Sequence, residues 1–462
     1  MDAAYFRPFK LTVDVVPYEI RGGKHMKLIS NFQILQRDDN GFAHAVFEGT
    51  YEGGGSIEAR VYREDDGVHV IYWTPCKREG SSWSVELDIP EGGLYCIEAC
   101  VVSGHYAWRD KIKILHHIGV GDIYVTTGQS NMAGYGRDTA YDPPCLGVHA
   151  FSNTGAWCIA THPLAEANGS IFGYPEFATG TSPALSFARR LKERLGIPIG
   201  IIPAASGGTS LKEWHPEQDG SLYRAMCKRL EYTGVFKGFI WYQGCAEAIP
   251  VGSNSPVDYF SDFAQMVTLW RDKFGNLPIL TVQLNRFIDR DGEKGDRSWG
   301  YVREAQRRAA LEIPGVYIIP SYDLSVMDGI HNSSGANVTI GERLANLALA
   351  EIYHKPGQTS VTILRVEHKD DTTVLVHLTP GHHVIPVNNW GIGMNVEDDT
   401  GIIECCTVQP TTDGLLVHTA RPYHLPAMFH YAWRAQAPAF VVRDIYDMPL
   451  LSCYGVEIQK QI

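Results

Sequence analysis

From Gly121 to His354 two hydrophobic patterns alternate along the chain. Short runs of nearly continuous apolar residues occupy 122–127, 198–203, 239–242, 278–284 and 316–320. Between them, apolar residues recur at three- and four-residue spacing over 186–195, 224–231, 259–272, 302–310 and 336–353. The first pattern predicts strands buried on both faces, and the second predicts amphipathic helices. Strictly alternating strands and helices imply right-handed βαβ crossovers and a parallel sheet between two helical layers.

The flanks read differently. Before residue 120, alternating and β-branched runs such as 56–62 and 84–89 are separated by glycine-rich turns at 52–55 and 91–93, and no long helical pattern interrupts them. After residue 356 the strand texture returns at 360–366, 373–378, 414–419 and 439–442. Short strands with regular turn signals predict sandwich-like β regions. The expected organisation is an N-terminal β domain over 1–119, a central α/β domain over 120–356 and a C-terminal β-rich domain over 357–462.

Composition narrows the functional classes. The net charge of −12 in 462 residues argues against nonspecific nucleic-acid binding, which depends on neutralising phosphates. No stretch of about 18 apolar residues predicts a membrane span. The first ten residues, MDAAYFRPFK, lack a basic segment followed by an apolar run, so no signal peptide is visible and a cytoplasmic location is expected. The ten scattered cysteines fit neither a disulfide framework nor a zinc site and read as thiols of a reducing compartment. The pairs His116-His117 and His382-His383 have no further ligand at metal spacing and read as strand or loop histidines.

Open parallel sheets gather ligands at the carboxyl ends of their strands, so the loops there carry the candidate chemistry. After the first predicted strand comes GQSNM at 128–132. A serine at a strand-to-helix turn is either an N-cap or a nucleophile exposed above the sheet. The spacing is not that of the GxSxG elbow, because Met132 stands two residues after Ser130. After the next strand comes SGGTS at 206–210, where glycine permits close backbone approach to an anion or simply forms a turn. WYQG at 241–244 offers a glutamine amide as a donor, and DGIH at 328–331 places a carboxylate three residues from an imidazole.

These four segments, in this order and in these strand contexts, resemble the SGNH-hydrolase superfamily. The resemblance is closest to its carbohydrate-acetylesterase branch, which includes sialate O-acetylesterases and acetylxylan esterases. It covers about residues 121–354 and implies an α/β/α sandwich with a parallel central sheet. It implies Ser130 as nucleophile, His331 as general base and Asp328 as the orienting acid. It further implies an oxyanion hole formed by Ser130, Gly207 and Gln243, with Gly208 the close alternative to Gly207. Many relatives carry Glu directly after the QG pair, whereas this chain has Cys245, with Glu247 as the nearest acid. Cys245 reads as a small buried filler.

The implied substrate is an acetylated mono-, oligo- or polysaccharide, the mechanism needs no metal or organic cofactor, and a homo-oligomer is left open. Gln129, Asn131, Trp214, Tyr242 and Arg286 are the candidate substrate-binding residues, with Trp241 and Trp299 as further aromatic candidates and Arg137 and Arg290 as further loop cations. Two other readings stand beside this one: a general short-chain carboxylesterase, and a noncatalytic glycan-binding protein on the same fold.

Overall fold

The computed structural model describes residues 29–103, 108–165, 170–172, 179–249, 255–288, 292–382, 384–386, 390–412, 414–438 and 442–460. The N-terminal decapeptide, Arg290, His383 and most of the strand expected at 439–442 lie outside the described residues. No described helix is long and apolar enough to cross a membrane.

A parallel sheet forms the centre. Its strands run in the order Trp157–Ile159, Val148–Phe151, Ile199–Pro203, Trp108–Gly128, Gly238–Tyr242, Ile279–Val282 and Val316–Ile319. Only the first pair is antiparallel. Helices Pro183–Leu195, Ser221–Thr233, Tyr259–Phe274, Glu293–Glu312 and Ser334–Glu351 cover the sheet. The strand residues are buried on both faces, which is why they read as continuous apolar runs rather than as alternations. Helices Pro183–Leu195 and Ser334–Glu351 are both capped by serine. The Ser182 and Ser333 hydroxyls accept from the backbone N–H groups of Ala184 and Ala336.

The register aligns the carboxyl ends of the central strands. Gly128 lies opposite Tyr242, and Thr126 lies opposite Pro203. The loops that follow these strands therefore emerge together on one edge of the sheet.

The first central strand is longer than its apolar part. Trp108–Gly128 runs for 21 residues, pairing with Gly92–Ser103 over its first half and with the parallel sheet over its second. The expected seam near residue 120 falls inside this strand. A three-stranded sheet, Phe42–Thr50, Ser82–Pro90 and Lys77–Glu79, supplies the second N-terminal layer. Phe47, Trp83, Leu87, Ile97 and Leu115 fill the space between the layers.

The C-terminal region departs from the expected sandwich. Seven strands close into a barrel in the order Ile363–Asp370, Thr373–Leu378, Gly414–Thr419, Gly401–Thr411, Met394–Asp398, Met428–Tyr431 and Cys453–Gln459. A parallel pairing of the last strand with the first completes it. Closure leaves no free edge and encloses a core of its own, including Val366, Val376, Val396, Val417 and Phe429.

Candidate active site

Ser130 opens a one-turn helix, Ser130–Ala133, directly after the central strand. The turn requires Gly128, whose φ is +115° and where a Cβ would lie 2.2 Å from the Tyr242 carbonyl oxygen. The Gln129 N–H donates to that carbonyl at 3.0 Å, which holds the turn against the neighbouring strand. As the first helical residue, Ser130 has a backbone N–H with no intrahelical acceptor. Its hydroxyl lies 3.0 Å from Nε2 of His331.

His331 arrives on the loop between strand Val316–Ile319 and the last helix. Its Nδ1 lies 2.8 Å from Asp328 Oδ2. A carboxylate on Nδ1 fixes the tautomer: Nδ1–H donates to Asp328, and Nε2 presents its lone pair to the serine O–H. The other carboxylate oxygen, Oδ1, accepts the backbone N–H groups of Ile330 and His331 at 2.8 and 2.7 Å. Burial pushes the Asp328 carboxyl up, but these two N–H groups and the ring outweigh it and hold it below the ordinary carboxylate range. Asp328 is therefore an anion at neutral pH.

The Gly207 loop is tied to the same edge. Ser206 N–H donates to the Gly128 carbonyl at 3.0 Å. Glu247 anchors the far end of the loop: one carboxylate oxygen accepts Leu211 N–H, and the other accepts the Gln243 amide. Burial raises the Glu247 pKa above the ordinary carboxylate value. Gln243 is fully buried, and its Nε2 also donates to Thr209 O at 3.3 Å. This corrects the expectation of a side-chain oxyanion donor, because its amide hydrogens are spent on holding the Gly207 loop.

Four of the expected substrate contacts are corrected as well. Gln129 is buried, and its Oε1 accepts the N–H groups of Gly244 and Cys245 at 3.1 and 3.0 Å. Asn131 is buried between the Ser130 turn and the His331 loop. Its Oδ1 accepts Asn332 N–H at 2.9 Å, and its Nδ2 donates to Ile330 O at 3.3 Å. Tyr242 is fully buried, with its hydroxyl near Ser321 Oγ and accepting from Asn332 Nδ2. Trp214 packs edge-on to Trp241 in the core. Trp299 is also buried, donating to Asn285 O at 2.8 Å. Trp241 and Tyr242 are both interior because the sheet is covered on both faces, so alternation exposes neither. Arg286 is half-buried, and its guanidinium donates to Leu324 O at 3.1 Å.

Sequence reasoning passed over the group that packs on His331. Tyr135 stacks on His331 with centroids 4.7 Å apart and 24° between planes, and the Arg137 guanidinium lies 5.0 Å from the Tyr135 ring. The only signal was an aromatic residue one turn after Ser130. Tyr135→Ala is expected to lower kcat/KM about tenfold by loosening the imidazole, while Tyr135→Phe retains the stack. Ester-hydrolysis kinetics of the two variants check this, and equal losses in both would contradict it.

Cys245 is buried, and burial pushes its thiol up to about 12. It is therefore neutral and unreactive. Iodoacetamide at mildly alkaline pH is expected to modify the exposed Cys406 and leave Cys245 and hydrolysis intact. Peptide mass mapping checks this, and loss of activity in step with Cys245 alkylation would contradict it.

Comparisons with known proteins bear on the family and the fold. Residues 120–350 match the model of a family described as carbohydrate esterase, sialic acid-specific acetylesterase. A probable carbohydrate esterase of Arabidopsis thaliana is 28% identical over 272 residues, covering 52% of this chain and 95% of the relative. Human sialate O-acetylesterase is 22% identical over 305 residues, so the chain spans about half, 54%, of that relative's length. Among solved structures, a carbohydrate acetylesterase from Xanthomonas citri superposes with a TM-score of 0.66 at 22% identity, covering 92% of this chain and 97% of that one. This last likeness is one of fold, and it extends over the β-rich flanks.

Proposed function

The chain belongs to the sialic acid-specific acetylesterase family of carbohydrate esterases and is a carboxylic ester hydrolase, and on that premise we propose that it removes O-acetyl groups from a carbohydrate through an acetyl-serine intermediate on Ser130. The single observation that carries this reading is the 3.0 Å approach of Ser130 Oγ to His331 Nε2, with Asp328 on the other ring nitrogen.

In the first half-reaction Ser130 Oγ attacks the acetyl carbonyl carbon as its proton passes to His331 Nε2. The Asp328 anion stabilises the imidazolium. The tetrahedral oxyanion faces the backbone N–H groups of Ser130 and Gly207, where one donor contributes roughly 10²–10³ in rate. Gln243 and Glu247 act at one remove, by fixing the loop that carries Gly207. Collapse breaks the bond to the sugar oxygen, which leaves with the proton from His331. Water, deprotonated by the same imidazole, then attacks the acetyl-serine, releasing acetate and restoring Ser130.

The test is acetate release from acetylated xylan, pectin, O-acetylated sialic acid and simple acetylated sugars. Release from at least one acetylated carbohydrate, faster than from long-chain acyl esters, is the expected result. Hydrolysis of simple aryl esters with no release from any acetylated carbohydrate would overturn the substrate class.

A further inference from the structure

A cavity of about 380 Å³ opens in the C-terminal barrel. Its volume is within the range of small-molecule sites, roughly 300–1,000 Å³. Trp390 stands on its rim with 66% of its surface exposed, and Ile392 lies beside it. The segment carrying Trp390 is held firmly: Trp390 bridges to Thr407, and Gly391 N–H donates to Cys406 O at 3.1 Å. At Gly391 a Cβ would meet the Cys405 carbonyl oxygen at 2.7 Å, so the close approach requires glycine.

The floor is polar and rigid. Asn395 is buried, accepting Trp433 Nε1–H at 2.9 Å and donating to Glu404 Oε2 at 2.6 Å. The other Glu404 oxygen pairs with Arg434 at 3.0 Å. The one carboxylate and the one guanidinium thus compensate each other, and the cavity carries no net charge for an ionic ligand. A largely exposed indole beside fixed polar groups suits a molecule with an apolar ring face and hydroxyl edges.

The wall of this cavity is wired to the catalytic loop. Ala435, next to Arg434, donates its N–H to Asp296 Oδ1 at 2.8 Å and accepts Phe287 N–H at 2.9 Å. The next residue, Ile288, donates to Gly329 O, between Asp328 and His331, at 2.8 Å. One short segment therefore joins the cavity wall to the base.

We propose that this cavity is a neutral-sugar subsite with Trp390 as its stacking platform, so that the substrate is an acetylated oligo- or polysaccharide rather than a free acetylated monosaccharide. This inference rests on the carbohydrate-ester reading of the Ser130 site. The probes are unacetylated xylohexaose, cellohexaose and mannohexaose, titrated by calorimetry and tryptophan fluorescence into the full chain, Trp390→Ala and Trp390→Tyr. Binding of at least one hexasaccharide is expected, weakened about tenfold or more in Trp390→Ala and retained in Trp390→Tyr. The preference in kcat/KM for an acetylated hexasaccharide over its acetylated monosaccharide is expected to fall about tenfold in Trp390→Ala. Absence of hexasaccharide binding, or binding indifferent to Trp390→Ala, overturns the subsite. Trp390-dependent hexasaccharide binding without acetate release from any acetylated sugar leaves the cavity standing and overturns the esterase substrate instead.

Discussion

Replacing Ser130 with alanine is expected to lower acetyl-ester hydrolysis by roughly 10⁴-fold or more, with the folded state intact. Two features of the geometry demand a loss of this size. The hydroxyl is the group that His331 Nε2 contacts, at 3.0 Å. The side chain sits at a turn fixed by Gly128 and Gln129, which holds that hydroxyl in place against the imidazole. What survives is the contribution of backbone donors and binding alone. Steady-state hydrolysis of 4-nitrophenyl acetate, with circular dichroism as the folding control, measures it. A loss of less than about tenfold would show that Ser130 caps its short helix and does no chemistry.

Arg303 carries the largest expected effect on stability. Its guanidinium is fully buried, and no carboxylate pairs with it among the described residues. It donates instead to main-chain carbonyls of two separate segments: Leu284 at 2.9 Å and Asn285 on one side, Ala432 and Arg434 at 2.8 Å each on the other. Burial without a counter-anion pulls its pKa down to about 9. The residue therefore clamps the strand end beside the site to the barrel. Arg303→Met fills similar volume but leaves these buried carbonyls without donors. The unfolding free energy is expected to fall by roughly 3–5 kcal/mol. Urea unfolding monitored by tryptophan fluorescence checks it, and a loss below about 1 kcal/mol would mean that water replaces the guanidinium at those carbonyls.

The α/β core was readable because both of its signals are strong: strands covered on both faces are uninterrupted apolar runs, and the helices between them keep a clear period. The strand Trp108–Gly128 was read only from Asp122 onward. Its first half opens on the exposed run Trp108, Arg109, Asp110 and Lys111 and carries Lys113, and this charged stretch hid the continuity with the apolar half. Barrel closure was not legible, because the pairing of Ile363–Asp370 with Cys453–Gln459 joins segments about ninety residues apart that carry no local signal.

At the site, motif position told where polar residues cluster but not which way they face. Gln129, Asn131 and Gln243 stand next to Ser130 or at strand ends, where ligand contacts are expected. Each is buried and spends its amide on backbone groups of the neighbouring loop. A buried amide that staples two loops and one that binds substrate have the same sequence signature. Tyr135 escaped notice for the opposite reason: its partner, His331, lies 196 residues away in the chain and meets it only in the fold.

The most direct test of the central claim is mass spectrometry of the protein quenched in acid within milliseconds of mixing with 4-nitrophenyl acetate. The mechanism predicts a transient gain of one acetyl group, mapped to the peptide containing Ser130 and absent from Ser130→Ala. Rapid ester hydrolysis with no acetyl group at Ser130, or with the group on another residue, would contradict it.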